Sequence, residues 1–390
     1  MSEQARHLHL YFPENDIALA HNIPNFTPPK PALQMRLCGQ ALPMWYGNDG
    51  DAFVDWGINA EWYDEMSEAF RLKVDTLPAH PEEYVPTPWG WSPASRRVFE
   101  DIGICHAALP SDDAIDAIRC LSSRRTASLL GEALSRSLSF SVTEVPEVFD
   151  RIECLSRYIA DKSSECIVKM PWSNAGRGNI DCSTTPAAEV LRRAADAIKR
   201  YGFVTAEVKH ERIADFAMLW TAHDDGSVSY DGLSLFDTSS SGAYVANILL
   251  PDKDIRNSLE RYVAAEHIDE IIATMGGALE SVIGGQYRGR LGVDMLVAQK
   301  DGGYIIDPFV EVNMRCTMGH VAHSLAARHL AEGCRGRLYI STEEEGNRCL
   351  APKDCAIDSN GRMRLGRINM TPPAAGRFSY IFEVSPQSSL

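Results

Sequence analysis

The sequence lacks several features that define common classes of protein. Its ten cysteines include no C-x-x-C pair, which argues against a zinc site or a disulfide framework and favours scattered reduced thiols. No run approaches the ~20 apolar residues that a membrane span needs. The first residues also lack a basic segment followed by an apolar one, the pattern of a secretory signal. These absences predict a soluble, cytoplasmic protein without a membrane partner.

Positive charge is also scarce. The 390 residues include 38 lysines and arginines against 53 aspartates and glutamates, a formal net charge of −15 at pH 7. A broad nucleic-acid surface needs a net basic face, so this balance argues against a nucleic-acid partner but leaves room for a small basic pocket. The composition, 45% hydrophobic and 23% charged, is that of an ordinary globular protein, and the length predicts two or three domains.

Hydrophobic periodicity and turn residues predict a mixture of strands and helices. Strands are expected over 7–12 and 41–47, and a helix over 186–203. A long helical stretch covers 252–283 and is expected to break at Gly276-Gly277. The fold class predicted from this pattern is mixed, α/β and α+β, without internal repeats.

A lysine followed by a loop of small residues is the first candidate site. Residues 168–179 read VKMPWSNAGRGN, with Lys169 near the end of a predicted strand. An ammonium group supplies a point charge, and the free N–H groups of such a loop can surround phosphate oxygens. The spacing fits neither a P-loop nor a dinucleotide fingerprint, because Gly176 and Gly178 lack a third glycine. A plain strand-to-turn connection explains this segment equally well.

Acidic and amide side chains within two apolar strands form a sharper candidate. Asp294 lies in a strand predicted over 289–298, and Glu311 and Asn313 lie in the next strand, after a KDGG turn. Residues two apart share one face of a strand, and three oxygen donors together suit Mg²⁺. A solvated face is the alternative, but acids are depleted in strands and these are flanked by apolar residues.

Arginines lie close to this acidic face in the sequence. Arg315 follows Asn313 by two residues, where a guanidinium group is suited to stabilise negative charge on a transferring group. Arg288 and Arg290 lie at the beginning of the strand of Asp294 and are weaker candidates, since exposed positions at a strand end explain them as well.

The segment TAEVKHERIADF, residues 205–216, is the third candidate. Its strand ends in Glu207, Val208 and Lys209, which offers backbone groups to the edge of an adenine ring and a carboxylate to its exocyclic amine. A charged turn that faces water has the same composition, so this feature alone is not specific.

Two groups in the first hundred residues have both a functional and a structural interpretation. Glu14, Asn15 and Asp16 follow the first predicted strand, at the place where α/β sheets bind ligands. They could bind an amine, or they could form a capped turn that starts a helix. The second group could hold a carboxylate or a ring, although packing of its tryptophans explains it better; it comprises Trp89, Trp91, Arg96 and Arg97.

Taken in chain order, these features resemble the ATP-grasp superfamily over about residues 115–335. The order is a lysine with a small-residue loop, a helix, a Glu-bearing linker strand, and then Asp followed by Glu-x-Asn. The most specific piece, Glu311 to Arg315, is similar to the E-x-N-x-R of biotin-carboxylase-type and related carboxylate ligases. The resemblance implies an ATP-grasp fold, in which two α+β lobes hold ATP, preceded by a Rossmann-like N-terminal domain.

The resemblance also implies roles for individual residues. Lys169 would hold the α- and β-phosphates, the loop from Ser173 to Gly178 would cover the triphosphate, and Asp215 would lie at the ribose. Arg315 would stabilise the transferring phosphoryl group or the tetrahedral adduct. The implied cofactors are ATP and Mg²⁺. The residues implied for catalysis are Arg315, Lys169 and Arg290, and those implied for the metal are Asp294, Glu311 and Asn313. The residues implied for ATP binding are Lys169, Ser173, Asn174, Gly176, Gly178, Glu207, Val208, Lys209 and Asp215.

The sequence departs from the family pattern in two places. Many relatives have an earlier lysine, whereas this chain offers Arg124 and Arg125, which can still bind phosphate. The spacing of 17 residues from Asp294 to Glu311 is long for the family, so Asp307 is a rival first metal ligand.

The resemblance implies an ATP-dependent ligase that joins a carboxylate to an amine through an acylphosphate and releases ADP and phosphate. The implied partners are small-molecule or peptide carboxylates and amines. A phosphotransferase on the same fold and a non-catalytic adenine-nucleotide-binding protein are the alternatives, and the oligomeric state, a homodimer included, is left open. The expected organisation is an N-terminal domain over 1–112, a first lobe over 113–206, a second lobe over 207–340 and a strand-rich tail over 341–390.

Overall fold

The structure is a computed structural model that describes residues 5–173, 178–239, 244–372 and 377–386. Its N-terminal part alternates short strands with helices. The elements are β1 (His7–Leu10), α1 (Asn15–His21), α2 (Lys30–Gly39), β2 (Ala52–Phe53), α3 (Ala60–Phe70), β3 (Val85–Pro88) and α4 (Pro93–Asp101).

The N-terminal sheet is parallel, with β1 between β2 and β3. Leu8 and Leu10 of β1 and Phe53 of β2 are fully buried, so the short strands are held by the core beneath them. The carboxyl end of a central parallel strand is where such sheets bind ligands. In this chain, that end leads through Tyr11 into α1.

The second part combines helices with a small antiparallel sheet. Its elements are α5 (Asp112–Leu121), α6 (Arg125–Ser137), β4 (Glu147–Phe149), α7 (Ile152–Asp161), β5 (Cys166–Lys169), β6 (Asn179–Asp181), α8 (Ala187–Tyr201) and β7 (Val204–Val208). The strand order is β4-β7-β5-β6, and all neighbours are antiparallel. Helices α7 and α8 pack on this sheet through buried residues that include Leu155, Val190 and Ala194.

The third part is built on long strands. Its elements are β8 (Glu211–Ala222), β9 (Val228–Thr238), β10 (Tyr244–Leu249), α9 (Asp252–Leu259), α10 (Ala265–Ile283), β11 (Gly289–Lys300), β12 (Gly303–Asn313), α11 (Met318–Arg328), β13 (Cys334–Thr342), α12 (Glu343–Asn347), β14 (Ala356–Ile357), β15 (Met363–Asn369) and β16 (Phe378–Pro386). The strands form one nine-stranded sheet in the order β12-β11-β8-β9-β10-β13-β16-β15-β14. The strands of the C-terminal segment therefore extend this large sheet. The expected domain limits at 206 and 340 fall within β7 and β13 and stay predictions.

An apolar core supports the strands that hold the predicted acidic residues. Leu130 and Leu134 of α6 share this core with Ile271 and Met275 of α10 and with Phe309 of β12. Because neighbouring side chains of a strand point to opposite faces, a core on one face of β11 and β12 leaves the other face to polar side chains.

Several element boundaries follow from local chemistry. Helix α8 ends at Gly202, which adopts the left-handed conformation with φ of 90°. Ser92 caps α4 in a reciprocal arrangement with Ser95. Ser111 caps α5 by accepting a hydrogen bond from the backbone N–H of Ala114.

Two expectations about local elements are wrong. The segment 41–47 is not a strand; it contains the 3₁₀ turn Leu42–Trp45, which is buried, because a short apolar run predicts burial more reliably than strand. The long helix does not break at Gly276-Gly277, which lie inside α10; it is interrupted over 260–264, between α9 and α10. Packing of α10 against the large sheet offsets the weak helix propensity of the two glycines.

In the described ranges, no helix combines the length and the hydrophobicity that crossing a membrane requires.

Candidate active site

Two cavities meet where the small sheet approaches the large one. The larger has a volume of about 1230 Å³ and is lined mainly by residues of β6 to β9 and of the segments between these strands. The smaller has a volume of about 250 Å³ and is lined by residues of both sheets and of the N-terminal part. Glu207 and Arg212 line both cavities, so the two form one continuous cleft to which all three parts of the chain contribute.

A pair of carboxyl groups lies on the wall of the smaller cavity. Asp294 of β11 is directly opposite Glu311 of β12 in the antiparallel register. The side-chain amide of Asn313 donates a hydrogen bond of 3.1 Å to Asp294 Oδ2. Burial raises the pKa of Asp294 to about 7, and the neighbouring Glu311 carboxylate contributes to that rise. Two partly buried carboxylates that repel each other form a site at which a bound cation is favourable.

The donor set of this pair fits a hard divalent cation. Within residues 5–173, 178–239, 244–372 and 377–386 there is no cluster of three or more His, Cys, Asp or Glu side chains placed to hold a metal ion. Asp294 and Glu311 offer two carboxylates, and the Asn313 amide offers a third oxygen. Mg²⁺ keeps several waters and commonly uses only one or two protein carboxylates together with substrate phosphates. The set therefore suits Mg²⁺ bound together with a nucleotide.

Two basic side chains of the cleft are each paired with an acid. Arg124 Nη1 lies 2.5 Å from Glu311 Oε2, and Lys169 Nζ lies 2.6 Å from Glu207 Oε1. Arg124 also donates to Ser173 Oγ over 3.2 Å, at the start of the predicted phosphate loop. These pairs hold cations at the cleft wall, where an incoming phosphate could replace the carboxylate as their partner.

Arg315 is joined to the N-terminal part of the chain. Its Nε donates to both carboxylate oxygens of Asp16 over 3.0 Å, and its Nη2 donates to Oδ2 over 2.8 Å. Burial by itself would lower the pKa of Arg315, but Asp16 outweighs burial and, with Glu311 and Asp294, raises it. From the sequence, Asp16 could either bind an amine or start a helix. In the structure it lies in the first turn of α1 and holds Arg315 beside the acid pair.

The residues predicted to hold adenine and ribose all line the larger cavity: Glu207, Val208, Lys209 and Asp215. Lys209 Nζ lies 2.8 Å from Asp181 Oδ2, which joins the end of β7 to β6. Asp215 accepts a hydrogen bond of 2.6 Å from Thr238 Oγ1 and is also paired with Arg212. These side chains are therefore held in place by neighbours within the cavity wall.

The predicted phosphate loop is described at its two ends. Ser173 and Gly178 lie in the described ranges, whereas Asn174 and Gly176 lie outside them. Met170 N donates to Gly178 O over 3.0 Å, which closes the base of the loop. A Cβ atom at position 178 would lie only 2.3 Å from the Ser173 Cβ atom, so this close approach requires glycine.

Arg290 does not line the described cleft. It lies near the start of β11 and is absent from the lining of both cavities. Its guanidinium carbon lies 5.2 Å from the centre of the Tyr46 ring in the N-terminal part. The catalytic role that the resemblance implies for Arg290 stays a prediction.

Asp307, the rival first metal ligand, occupies a different position from Asp294. It pairs with Leu296 in the strand register, whereas Asp294 is the residue opposite Glu311. Burial, with a contribution from the Glu207 carboxylate, raises the pKa of Asp307 to about 7. The geometry therefore favours Asp294 as the acid that shares a site with Glu311.

The aromatic and basic group of the N-terminal part is divided by the structure. Trp89 lines the smaller cavity. Trp91 packs on Phe99, with 5.6 Å between ring centres, and Arg96 Nη2 lies 2.6 Å from Asp112 Oδ1. Packing thus accounts for Trp91 and a local ion pair accounts for Arg96.

Other residues of the smaller cavity had no signal in the sequence. They lie on separate elements, and each is an ordinary apolar or aromatic residue of its own segment: Tyr11, Met35, Tyr244, Met318 and Ile340. Only their convergence on one cavity distinguishes them, and a contact pattern of that kind cannot be read from residues hundreds of positions apart.

Comparisons with known proteins give likeness in structure only. No family model matches the chain, and no curated protein matches its sequence. It is similar to N5-carboxyaminoimidazole synthetase from Staphylococcus aureus complexed with ADP, at 10% identity and a TM-score of 0.47, over 100% of this chain and 95% of that one. It is also similar to the biotin carboxylase domain of 2-oxoglutarate carboxylase from Hydrogenobacter thermophilus in complex with MgADP, ADP and bicarbonate, at 13% identity and a TM-score of 0.49, over 98% and 87%.

A biotin carboxylase from Campylobacter jejuni is a further similar structure, at 12% identity and a TM-score of 0.47, over 97% of this chain and 87% of that one. At identities and TM-scores this low, a shared reaction is not implied. The architecture agrees with the mixed α/β and α+β organisation and the parallel N-terminal sheet that the sequence analysis predicts. A parallel sheet, a four-stranded antiparallel sheet and a large antiparallel sheet follow one another along the chain and meet at one cleft.

Proposed function

We propose that this protein is an ATP-dependent ligase that joins a carboxylate to an amine through an acylphosphate and releases ADP and phosphate. The observation that supports this most is that one cleft gathers an acid pair and three positioned cations. These residues are Asp294 and Glu311, with Arg124, Lys169 and Arg315.

The cleft offers a separate place for each part of the nucleotide. Adenine would lie against the end of β7 at Glu207 to Lys209, and ribose would lie near Asp215. Lys169 and Arg124 would hold phosphate oxygens. Mg²⁺ would be held by Asp294, Glu311 and Asn313, and when bound it would neutralise charge on the phosphate oxygens.

The proposed reaction needs no nucleophilic side chain. The substrate carboxylate attacks the γ-phosphoryl group, which gives an acylphosphate and ADP, and the amine then displaces phosphate from the acyl carbon. The protein positions the reactants and neutralises charge, with Arg315 stabilising the charge that develops on the transferring group. The absence of a G-x-S-x-G elbow from the sequence agrees with this mechanism.

Nucleotide binding is the first test. Ligands that bind the native state raise its melting temperature by mass action. We expect ATP, ADP and a non-hydrolysable ATP analogue to raise the melting temperature in a Mg²⁺-dependent way, with GTP much less effective. No rise with any nucleotide would overturn the proposal and indicate that the acid pair and the Lys169 loop are structural.

Product analysis then separates the ligase from the two alternatives. Pairs of carboxylates and amines are screened for ADP release, and a ligase must require the amine and leave free phosphate. A phosphotransferase would leave the phosphoryl group on its acceptor, and a nucleotide-binding protein would release no ADP. The presence of Asn313 and Arg315 beside the acid pair argues against a protein that only binds nucleotide, because binding alone requires neither.

A further inference from the structure

The charged residues that line the smaller cavity are those proposed to surround the nucleotide and the metal. They come from the residue before α6, from the small sheet, from β8, β11 and β12 and from the turn after β12. They are Arg124, Lys169, Glu207, Arg212, Asp294, Glu311 and Arg315. The rest of the lining of this cavity is uncharged.

The remaining wall includes apolar and aromatic side chains, here named the neutral chamber: Tyr11, Met35, Trp89, Tyr244, Met318 and Ile340. Tyr11 and Trp89 meet edge to face with 5.0 Å between ring centres. Ile340 of β13 lies opposite Tyr380 of β16, whose ring is 5.9 Å from that of Tyr11. Tyr11 therefore packs against Trp89 on the wall and against Tyr380 behind it.

Hydroxyl groups of the neutral chamber already have partners within the protein. The Tyr11 and Tyr380 hydroxyls are 2.8 Å apart, and Tyr380 Oη also donates to the Met35 carbonyl over 3.2 Å. Tyr244 Oη donates to Asn247 Oδ1 over 2.6 Å, and the Asn247 amide donates to Ser234 Oγ over 2.9 Å. A ligand gains little from polar groups that are satisfied without it, and it loses the hydration of any polar group of its own that it places there.

Charged side chains just behind the wall are neutralised in pairs. Glu14 is 1% exposed, and Arg36 Nη1 lies 3.2 Å from its Oε1 atom. The Arg36 guanidinium also lies over the Phe12 ring at 4.9 Å. Asp16 and Arg315 form the second pair. When Glu14 is ionised, each of these two acids therefore has an arginine beside it.

We infer that the carboxylate substrate is a small monocarboxylic acid whose body is uncharged and apolar. This rests on the proposed ligase function. The carboxylate of the acid would lie toward Arg315 and the acid pair, and its apolar body would fill the neutral chamber. An acid with a second carboxylate or a phosphate would have to place that charge against Tyr11, Met35 and Trp89, whose side chains carry no positive charge.

The test compares pairs of acids that share one carboxylate, with an apolar far end in one member and a charged far end in the other. The full-length protein is saturated with Mg²⁺ and the non-hydrolysable ATP analogue, and binding is measured by calorimetry. Hexanoate is compared with adipate, and 3-phenylpropanoate with 3-phosphonopropanoate. We expect each apolar acid to bind at least about tenfold more tightly than its charged counterpart, because a buried unpaired charge is strongly unfavourable.

Chamber variants test where the preference arises. Met35→Lys and Ile340→Lys each place a cation in the chamber from a different element, so that failure of one variant to fold leaves the other. We expect both to weaken hexanoate binding at least about tenfold and to improve adipate relative to hexanoate. Leu33→Lys is the matched control, because Leu33 lies on α2 with Met35 but lines neither cavity, and it should keep the preference of the unaltered protein.

Failure of the inference and failure of the proposed function give different results. Normal nucleotide binding with equal or tighter binding of adipate, or with no binding of any of the four acids, overturns the inference alone. An unchanged preference in both folded lysine variants also overturns it, because the chamber would then not hold the apolar body. Absence of nucleotide binding overturns the proposed function, and with it this inference.

Discussion

The two ends of the cleft differ in how their polar groups are partnered. At the nucleotide end, cations are paired with acids, as in Arg124 with Glu311 and Lys169 with Glu207. In the neutral chamber, hydroxyl groups such as that of Tyr11 bond to other uncharged groups of the protein. An ion pair can exchange its carboxylate for a phosphate oxygen, whereas a satisfied hydroxyl group gains little from a ligand.

This difference indicates that the two ends of the cleft recognise different properties of their ligands. The nucleotide end would select its ligand by charge, and its affinity would depend on pairs that reorganise when the ligand arrives. The neutral chamber would select by shape and by the absence of charge, and its wall is already satisfied before binding. Substitutions at the two ends should therefore change different measured quantities.

Glu311→Gln is expected to have the largest effect. The change removes one of the two opposed carboxylates and leaves Arg124 without its acid partner. We expect ADP release to fall by about 100-fold or more, and the Mg²⁺-dependent part of the ATP-induced rise in melting temperature to disappear. Glu266→Gln, on an exposed position of α10, is the matched control and should behave like the unaltered protein. Unchanged ADP release would refute the metal role.

Arg315→Ala is expected to lower turnover more than nucleotide binding. Arg315 lies beside the acid pair and is held there by Asp16, so its loss should remove stabilisation of the developing charge. We expect kcat to fall by roughly 100-fold while the Kd for ATP changes by less than about threefold. Arg288→Ala is the control, because Arg288 forms an exposed ion pair with Asp224. Equal losses in kcat and in ATP affinity would argue against a role in the transition state.

Lys169→Met should act mainly on nucleotide affinity. Lys169 is buried, donates to the Val310 carbonyl over 3.1 Å and is paired with Glu207, so its ammonium group is positioned before a phosphate arrives. We expect the Kd for ATP, from calorimetry, to rise by about tenfold or more. The exposed Lys199→Met is the control for loss of one positive charge. An ATP affinity equal to that of the control would exclude the phosphate role.

Glu14→Gln is expected to change the pH dependence of stability and leave nucleotide binding intact. Burial raises the pKa of Glu14 from 4.5 to about 7, against the opposing effect of Arg36. Between these pH values the folded state binds more protons than the unfolded state, so the free energy of unfolding falls as pH rises from about 5 to 7. The fall attributable to Glu14 is on the order of 3 kcal/mol and should be absent from Glu14→Gln.

Urea unfolding at pH 5, 6, 7 and 8 measures this slope. The matched control is Glu83→Gln, which alters a surface acid paired with Arg6 and should leave the slope unchanged. The same slope in Glu14→Gln and in the unaltered protein would mean that Glu14 is ionised throughout this range. Glu14 and Arg36 would then form a charged pair at every pH in the series.

Much of the large sheet could be predicted because its signals are local. The turn between β11 and β12 and the alternation of side chains place Glu311 and Asn313 on one face, as the sequence predicted. The helix that ends at Gly202 follows from periodicity and one glycine. The strand expected over 41–47 was wrong because apolar character indicates burial, and burial is compatible with a 3₁₀ turn as well as a strand.

The mixed fold, the strand pair with its acids and the lysine before the small-residue loop could be predicted from the sequence, because each depends on residues close together in the chain. The pairing of Arg315 with Asp16, 299 positions away, and that of Arg124 with Glu311 became known only from the folded protein. The folded protein also shows which of Asp294 and Asp307 lies opposite Glu311. Such contacts arise when elements that can each be predicted locally pack their apolar faces together. The local sequence does not determine which polar residues of different elements then lie side by side.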